Sequence, residues 1–98
     1  MSHVIRVINE FTILKGKDDY IVKNNKGEYE NHGHFKKLST CFALIKLMQK
    51  KTIPKSDYLL EAAIRITTDS KYKQILELKQ EKNKQRQRYF NSNKGVRK

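Results

Sequence analysis

Along this chain the apolar residues change their spacing once and then run out. Near the start they come in short, β-branched or aromatic runs: Val4-Ile5-Arg6-Val7-Ile8, Phe11-Thr12-Ile13-Leu14 and Tyr20-Ile21-Val22. From Cys41 to Leu76 they recur at helical intervals, and between Leu78 and Tyr89 there are none. A chain written this way forms strands first and helices second, and then has nothing left to bury. At 98 residues it has material for one core, with about two-thirds of its unfolded surface removed from water on folding.

The first third reads as an antiparallel meander of three or four strands. Lys15-Gly16-Lys17-Asp18-Asp19 is a polar break, and Asn24-Asn25-Lys26-Gly27 supplies residues that tolerate positive φ. Glu28-Tyr29-Glu30 alternates polar with aromatic, as an edge strand does, which predicts a Tyr20–Tyr29 hairpin. The period then switches. Ser39 or Thr40 is positioned to cap a helix over residues 40–51, with Cys41, Phe42, Leu44, Ile45, Leu47 and Met48 around most of its circumference. The only proline, Pro54, ends it. Ser56 caps a second helix on Leu59, Leu60, Ala63 and Ile64, and Thr67-Thr68-Asp69-Ser70 is a break and a cap together. A last helix starts near Ser70 with Tyr72, Ile75 and Leu76 as its apolar stripe and Leu78 at the margin. The expected fold is therefore α+β: a small meander, then three helices, the last long and basic. Residues 1–78 form the domain and residues 79–98 a basic helical extension ending in a mobile tail.

Charge follows the same division. Residues 1–35 hold five basic and five acidic residues, residues 36–69 seven and three, and residues 70–98 ten and two. The net charge of +12 thus sits mostly at the C-terminal end. That asymmetry points to an anionic partner, nucleic acid first. Residues 79–88 read Lys-Gln-Glu-Lys-Asn-Lys-Gln-Arg-Gln-Arg, good helix formers without a hydrophobic face. At 100° per residue, Lys79, Lys82 and Arg86 continue the line of Tyr72 and Ile75 toward Phe90, while Glu77 and Glu81 fall opposite with Lys73, Lys84 and Arg88. The candidate interface comprises Lys79, Lys82, Lys84, Arg86, Arg88, Lys94, Arg97 and Lys98 for phosphates. Tyr89 and Phe90 are its stacking or anchoring groups. A second basic patch, Lys36, Lys37, Lys50, Lys51 and Lys55 with Arg65 beside it, would join this footprint if the fold set it alongside.

Other chemistry is sparse. The lone Cys41 excludes an internal disulfide and, placed in Cys41-Phe42-Ala43-Leu44-Ile45, reads as a buried inert thiol of a reducing compartment. His32-Gly33-His34 would put two imidazoles on one side of an extended chain, where they could share a metal, yet no third ligand stands at a diagnostic spacing. The plainer reading is a strand-to-helix turn, so no metal, cofactor or catalytic residue is assigned and the chain is read as non-enzymatic. No phosphate-binding loop, dinucleotide-binding glycine pattern or nucleophile–base pair occurs. No apolar run nears the ~18–20 residues of a membrane helix, and Met1–Arg6 lacks a signal-peptide layout.

Three stretches carry a resemblance: Tyr29-Glu30-Asn31-His32-Gly33-His34-Phe35, Thr40-Cys41-Phe42-Ala43-Leu44-Ile45 and Pro54-Lys55-Ser56-Asp57-Tyr58-Leu59. Over roughly residues 20–72 the chain resembles short reading frames carried by phages and mobile elements of Gram-positive bacteria. What this implies is a small protein of the bacterial host cytoplasm. It would be either an accessory nucleic-acid binder or an inhibitor of host machinery, such as an anti-CRISPR protein acting on an effector nuclease, or one acting on a replication factor.

Overall fold

The computed structural model describes residues 3–96, with side chains through Gln85. Four strands, β1 (His3–Ile8), β2 (Phe11–Lys15), β3 (Tyr20–Asn24) and β4 (His32–Phe35), form one antiparallel sheet in sequence order. Three helices follow, α1 (Leu38–Gln49), α2 (Asp57–Ile66) and α3 (Ser70–Val96). This is the expected α+β arrangement.

Local chemistry explains most of the joints. Asn9 adopts φ 54° in the two-residue β1–β2 turn, a left-handed conformation that asparagine tolerates. The third connection departs from expectation: β3 pairs with His32–Phe35, and Glu28-Tyr29-Glu30 lies in a turn, not in a strand. Long-range hydrogen bonds account for this. The Asn24 side chain donates to the Ile66 carbonyl (3.1 Å) and the Asn31 side chain to the Arg65 carbonyl (2.9 Å), satisfying carbonyls at the C-terminal end of α2. Asn31 also accepts from the Glu28 N–H (2.8 Å), so residues 25–31 close as a loop tied to α2.

The sheet is covered on one side. Phe11, Ile13, Val22 and Phe35 point into the core, where Cys41, Leu44, Ile45 and Met48 of α1 and Leu60, Ala63 and Ile66 of α2 meet them. Gly33 faces the same way, and a Cβ there would come within 3.2 Å of Ile66 Cδ1 and of the Phe35 ring. A side chain at this position would require the Ile66 and Phe35 side chains to give way by a few tenths of an ångström.

Helix α1 begins at Leu38 after an extended Lys37 that offers no side-chain cap, so Ser39 and Thr40 lie inside its first turn and do not cap it. At its other end Lys51 takes φ 57°, with Lys51 N–H bonded to Met48 O and Thr52 N–H to Leu47 O, a Schellman closure with lysine in the usual glycine position. Ser56 caps α2 as expected, accepting from Leu59 N–H. Asp69 caps α3: its Oδ1 accepts from Lys71 N–H (3.0 Å) and Tyr72 N–H (3.2 Å), and its Oδ2 meets Lys51 Nζ at 3.1 Å.

Helix α3 has 27 residues, about 40 Å at 1.5 Å per residue. Tyr72 and Leu76 are its buried residues among those described, and Tyr72 Oη donates to the Thr52 carbonyl (2.6 Å). Asn91-Ser92-Asn93-Lys94-Gly95, which carries no helical signal of its own, continues the helix, because extending an existing helix avoids the cost of nucleation. The radius of gyration is 15.8 Å, against about 13 Å for a compact chain of this length. The excess reflects a helix that outruns its core. Among the described residues no helix is long and apolar enough to cross a membrane.

Candidate binding surfaces

Two surfaces stand out, one expected and one not. The expected one is α3. Its packed side runs through Tyr72, Leu76 and Asn83, and Asn83 donates to Asp57 Oδ1 (2.9 Å) at the start of α2. The two helices are therefore antiparallel, and α3 continues past the N-terminal start of α2 for roughly 20 Å.

This placement corrects the expected stripe. Leu76 is fully buried, whereas Ile75 is 49% exposed and Leu78 65% exposed. The contact line thus passes one residue away from Ile75, and the cations divide between two flanks. Lys79 is half-buried at the contact line. Lys82 lies exposed on the flank of Ile75 and Leu78, by the same 100° projection. Lys84 lies on the other flank, where Lys73, Glu77, Gln80 and Lys84 face Glu61, Ile64 and Arg65 of α2 across an open groove. Glu77 is thus a groove residue, not part of a face directed away from the protein. None of the α3 lysines from Lys71 to Lys84 forms an ion pair among the described residues. Arg86, Arg88, Tyr89, Phe90 and Lys94 fall on the α3 backbone with side chains outside the described residues, and Arg97 and Lys98 lie outside them altogether.

The second basic patch does not form one surface. Lys36 and Lys37 precede α1, and Lys50 and Lys51 follow it, about 18 Å away along a 12-residue helix. Lys51 is engaged, paired with Asp69 and set 5.2 Å from the Tyr72 ring centre. That is the base of α3, about 15 Å of helix rise from Lys79. Lys55, two residues before Asp57, is the member nearest the middle of α3. Arg65 pairs loosely with Glu61 (3.8 Å). Cys41 lies on the core face of α1, where burial pushes its thiol up to about 11, so it stays protonated and inert.

No protein-family model, curated protein or solved structure matches this chain. Its own geometry is the available guide to function.

The unexpected surface is the uncovered face of the sheet. Register puts Val4 and Val7 of β1, Leu14 of β2, Ile21 and Lys23 of β3, and His32 and His34 of β4 on the side away from the helices. Leu14, Ile21, Lys23, Tyr29, His32 and His34 line a shallow hollow of about 240 Å³ there. His32-Gly33-His34 is therefore an edge strand, not the turn that sequence suggested. Its two imidazoles share one face with ring centres 5.0 Å apart, and Tyr29, 86% exposed, lies 5.3 Å from His32. Period-two alternation was the signal that could have found this face, once His32–Phe35 was taken as a strand.

Proposed function

We propose that this protein is a non-enzymatic binder of nucleic acid, or of a nucleoprotein, acting through the cationic α3 helix in the cytoplasm of a bacterial host. The observation that carries this reading is that α3 extends well beyond Leu76, its last buried residue among those described, while its lysines from Lys71 to Lys84 form no ion pair among the described residues. A projecting helix with cations on both flanks suits a phosphate backbone, which rewards positive charge without requiring a fixed side-chain geometry. Tyr89 and Phe90 supply aromatic surface on the same segment. The phage-like resemblance of residues 20–72 fits an accessory protein of this size.

One observation favours a second reading. Ile75 and Leu78, both substantially exposed, sit beside Lys71 and Lys82 on one flank of α3, a mixed apolar and cationic strip that suits a protein groove. Under that reading the chain is an inhibitor of a host protein, such as a CRISPR effector nuclease or a replication factor.

The test is a titration of the full chain against single-stranded and duplex DNA and RNA at low and physiological salt. Affinity that falls steeply with salt supports the first reading. Absence of binding even at low salt sinks it and leaves the host-protein reading, which capture from lysate would then test through dependence on Ile75 and Leu78.

A further inference from the structure

From the uncovered sheet face we infer a divalent transition-metal site, with zinc the type ion, held by the Nε2 atoms of His32 and His34. It concerns a different surface from α3 and stands apart from the nucleic-acid reading.

The inference begins with the hydrogen bonds on the other ring nitrogens. His32 Nδ1 lies 2.7 Å from the Tyr29 carbonyl oxygen, which can only accept. His34 Nδ1 lies 2.8 Å from Asp19 Oδ2 of the β2–β3 turn, again an acceptor. Both rings therefore carry their proton on Nδ1, and in each neutral ring the lone pair is on Nε2. A backbone carbonyl and a carboxylate behind two imidazoles are the outer partners that metal-binding histidines use to fix their tautomer and raise their basicity.

Spacing agrees. An imidazole nitrogen binds zinc at about 2.0–2.1 Å, and with ~1.2 Å more to the ring centre, two such ligands at a tetrahedral angle have centroids about 5 Å apart. The observed separation is 5.0 Å, with the planes inclined at 75° and not stacked face to face. Gly33 between them is buried against Ile66 and Phe35, which holds the strand so that its neighbours stay on the outer side. Among the described residues no cluster of three or more ligand side chains closes the site. The ion would thus keep positions open to water or to a ligand oxygen. Lys23, paired in register with His32 on the same face, is the one cation lining the hollow and opposes the ion's charge.

Calorimetric titration of the full chain with zinc chloride at neutral pH tests this directly. The expected result is saturable binding of one ion per chain, lost in both H32Q and H34Q. The D19N variant should bind about tenfold more weakly, the scale of outer-partner losses, and K23Q should bind more tightly. His3, the remaining histidine, lies on the opposite edge strand, about 14 Å away across three strand spacings, so H3Q should change nothing. Absence of saturable binding in a folded wild-type chain, binding that survives the H32Q/H34Q double variant, or binding that depends on His3 would each overturn the inference.

Discussion

Over residues 70–78, α3 alternates side chains that meet the core with side chains that meet water; from residue 79 onward it carries nothing apolar until Tyr89. The first part is held by Asp69 at its cap, by Tyr72 bonded to Thr52, and by Leu76 fully buried. The second part has Asn83 reaching Asp57 as its named tie to the rest of the protein among the described residues. One continuous helix therefore has a first third whose composition is dictated by packing and a longer part that packing constrains little. In that longer part the sequence carries most of the cations. Charge that folding does not require is the feature from which a binding role can be argued.

Breaking the packed part should have the largest effect. Leu76→Ala removes a fully buried side chain and should cost about 2–5 kcal/mol in urea unfolding, a large share of the ~5–15 kcal/mol typical of such domains. Gly33→Ala presses a methyl against Ile66 and Phe35 at 3.2 Å and should cost about 1–3 kcal/mol, read the same way. By contrast, replacing Lys82, Lys84, Arg86 and Arg88 together by glutamine should move stability by no more than about 0.5 kcal/mol per position, since Lys82 and Lys84 are exposed and none of the four is apolar. If that quadruple variant unfolded easily, the division of α3 into two unlike parts would be wrong.

Smaller effects sharpen the picture at the helix starts. Ser56→Ala should cost about 0.5 kcal/mol, the low end for a cap, because its bond to Leu59 is long at 3.5 Å. Asp69 is held below the ordinary aspartate value, chiefly by the Tyr72 N–H and then by Lys51. A carboxyl with a depressed folded-state pKa adds stability above its unfolded value, and that stability is lost as pH falls through the folded one. Wild type should therefore lose stability faster than Asp69→Ala in acid, with the two curves converging at the lowest pH.

The order of elements was legible because it rests on the period of the apolar residues, a local property. The β3–β4 pairing was not. Asn24-Asn25-Lys26-Gly27 has the composition of a tight turn, but Asn24 and Asn31 are committed to carbonyls of α2 some 42 and 34 residues away in sequence, a demand that no local pattern records. The cations of α3 were equally legible, whereas their faces were not. Ile75 and Leu76 are adjacent apolar residues, and only the position of α2 decides which is buried. For the histidines, an extended chain would give them a shared side, but the composition reads as a turn, and the Tyr29 carbonyl and Asp19 carboxylate behind them depend on how the neighbouring turns close.

The most direct test of the central claim compares the full chain with the Lys82, Lys84, Arg86 and Arg88 to glutamine variant in binding duplex DNA across a range of salt. The account predicts unchanged unfolding, much weaker binding, and a log–log salt slope shallower by about 3–4, the loss of up to four phosphate contacts. Equal affinity and equal slope in the two proteins would contradict it and place any nucleic-acid contact elsewhere on the molecule.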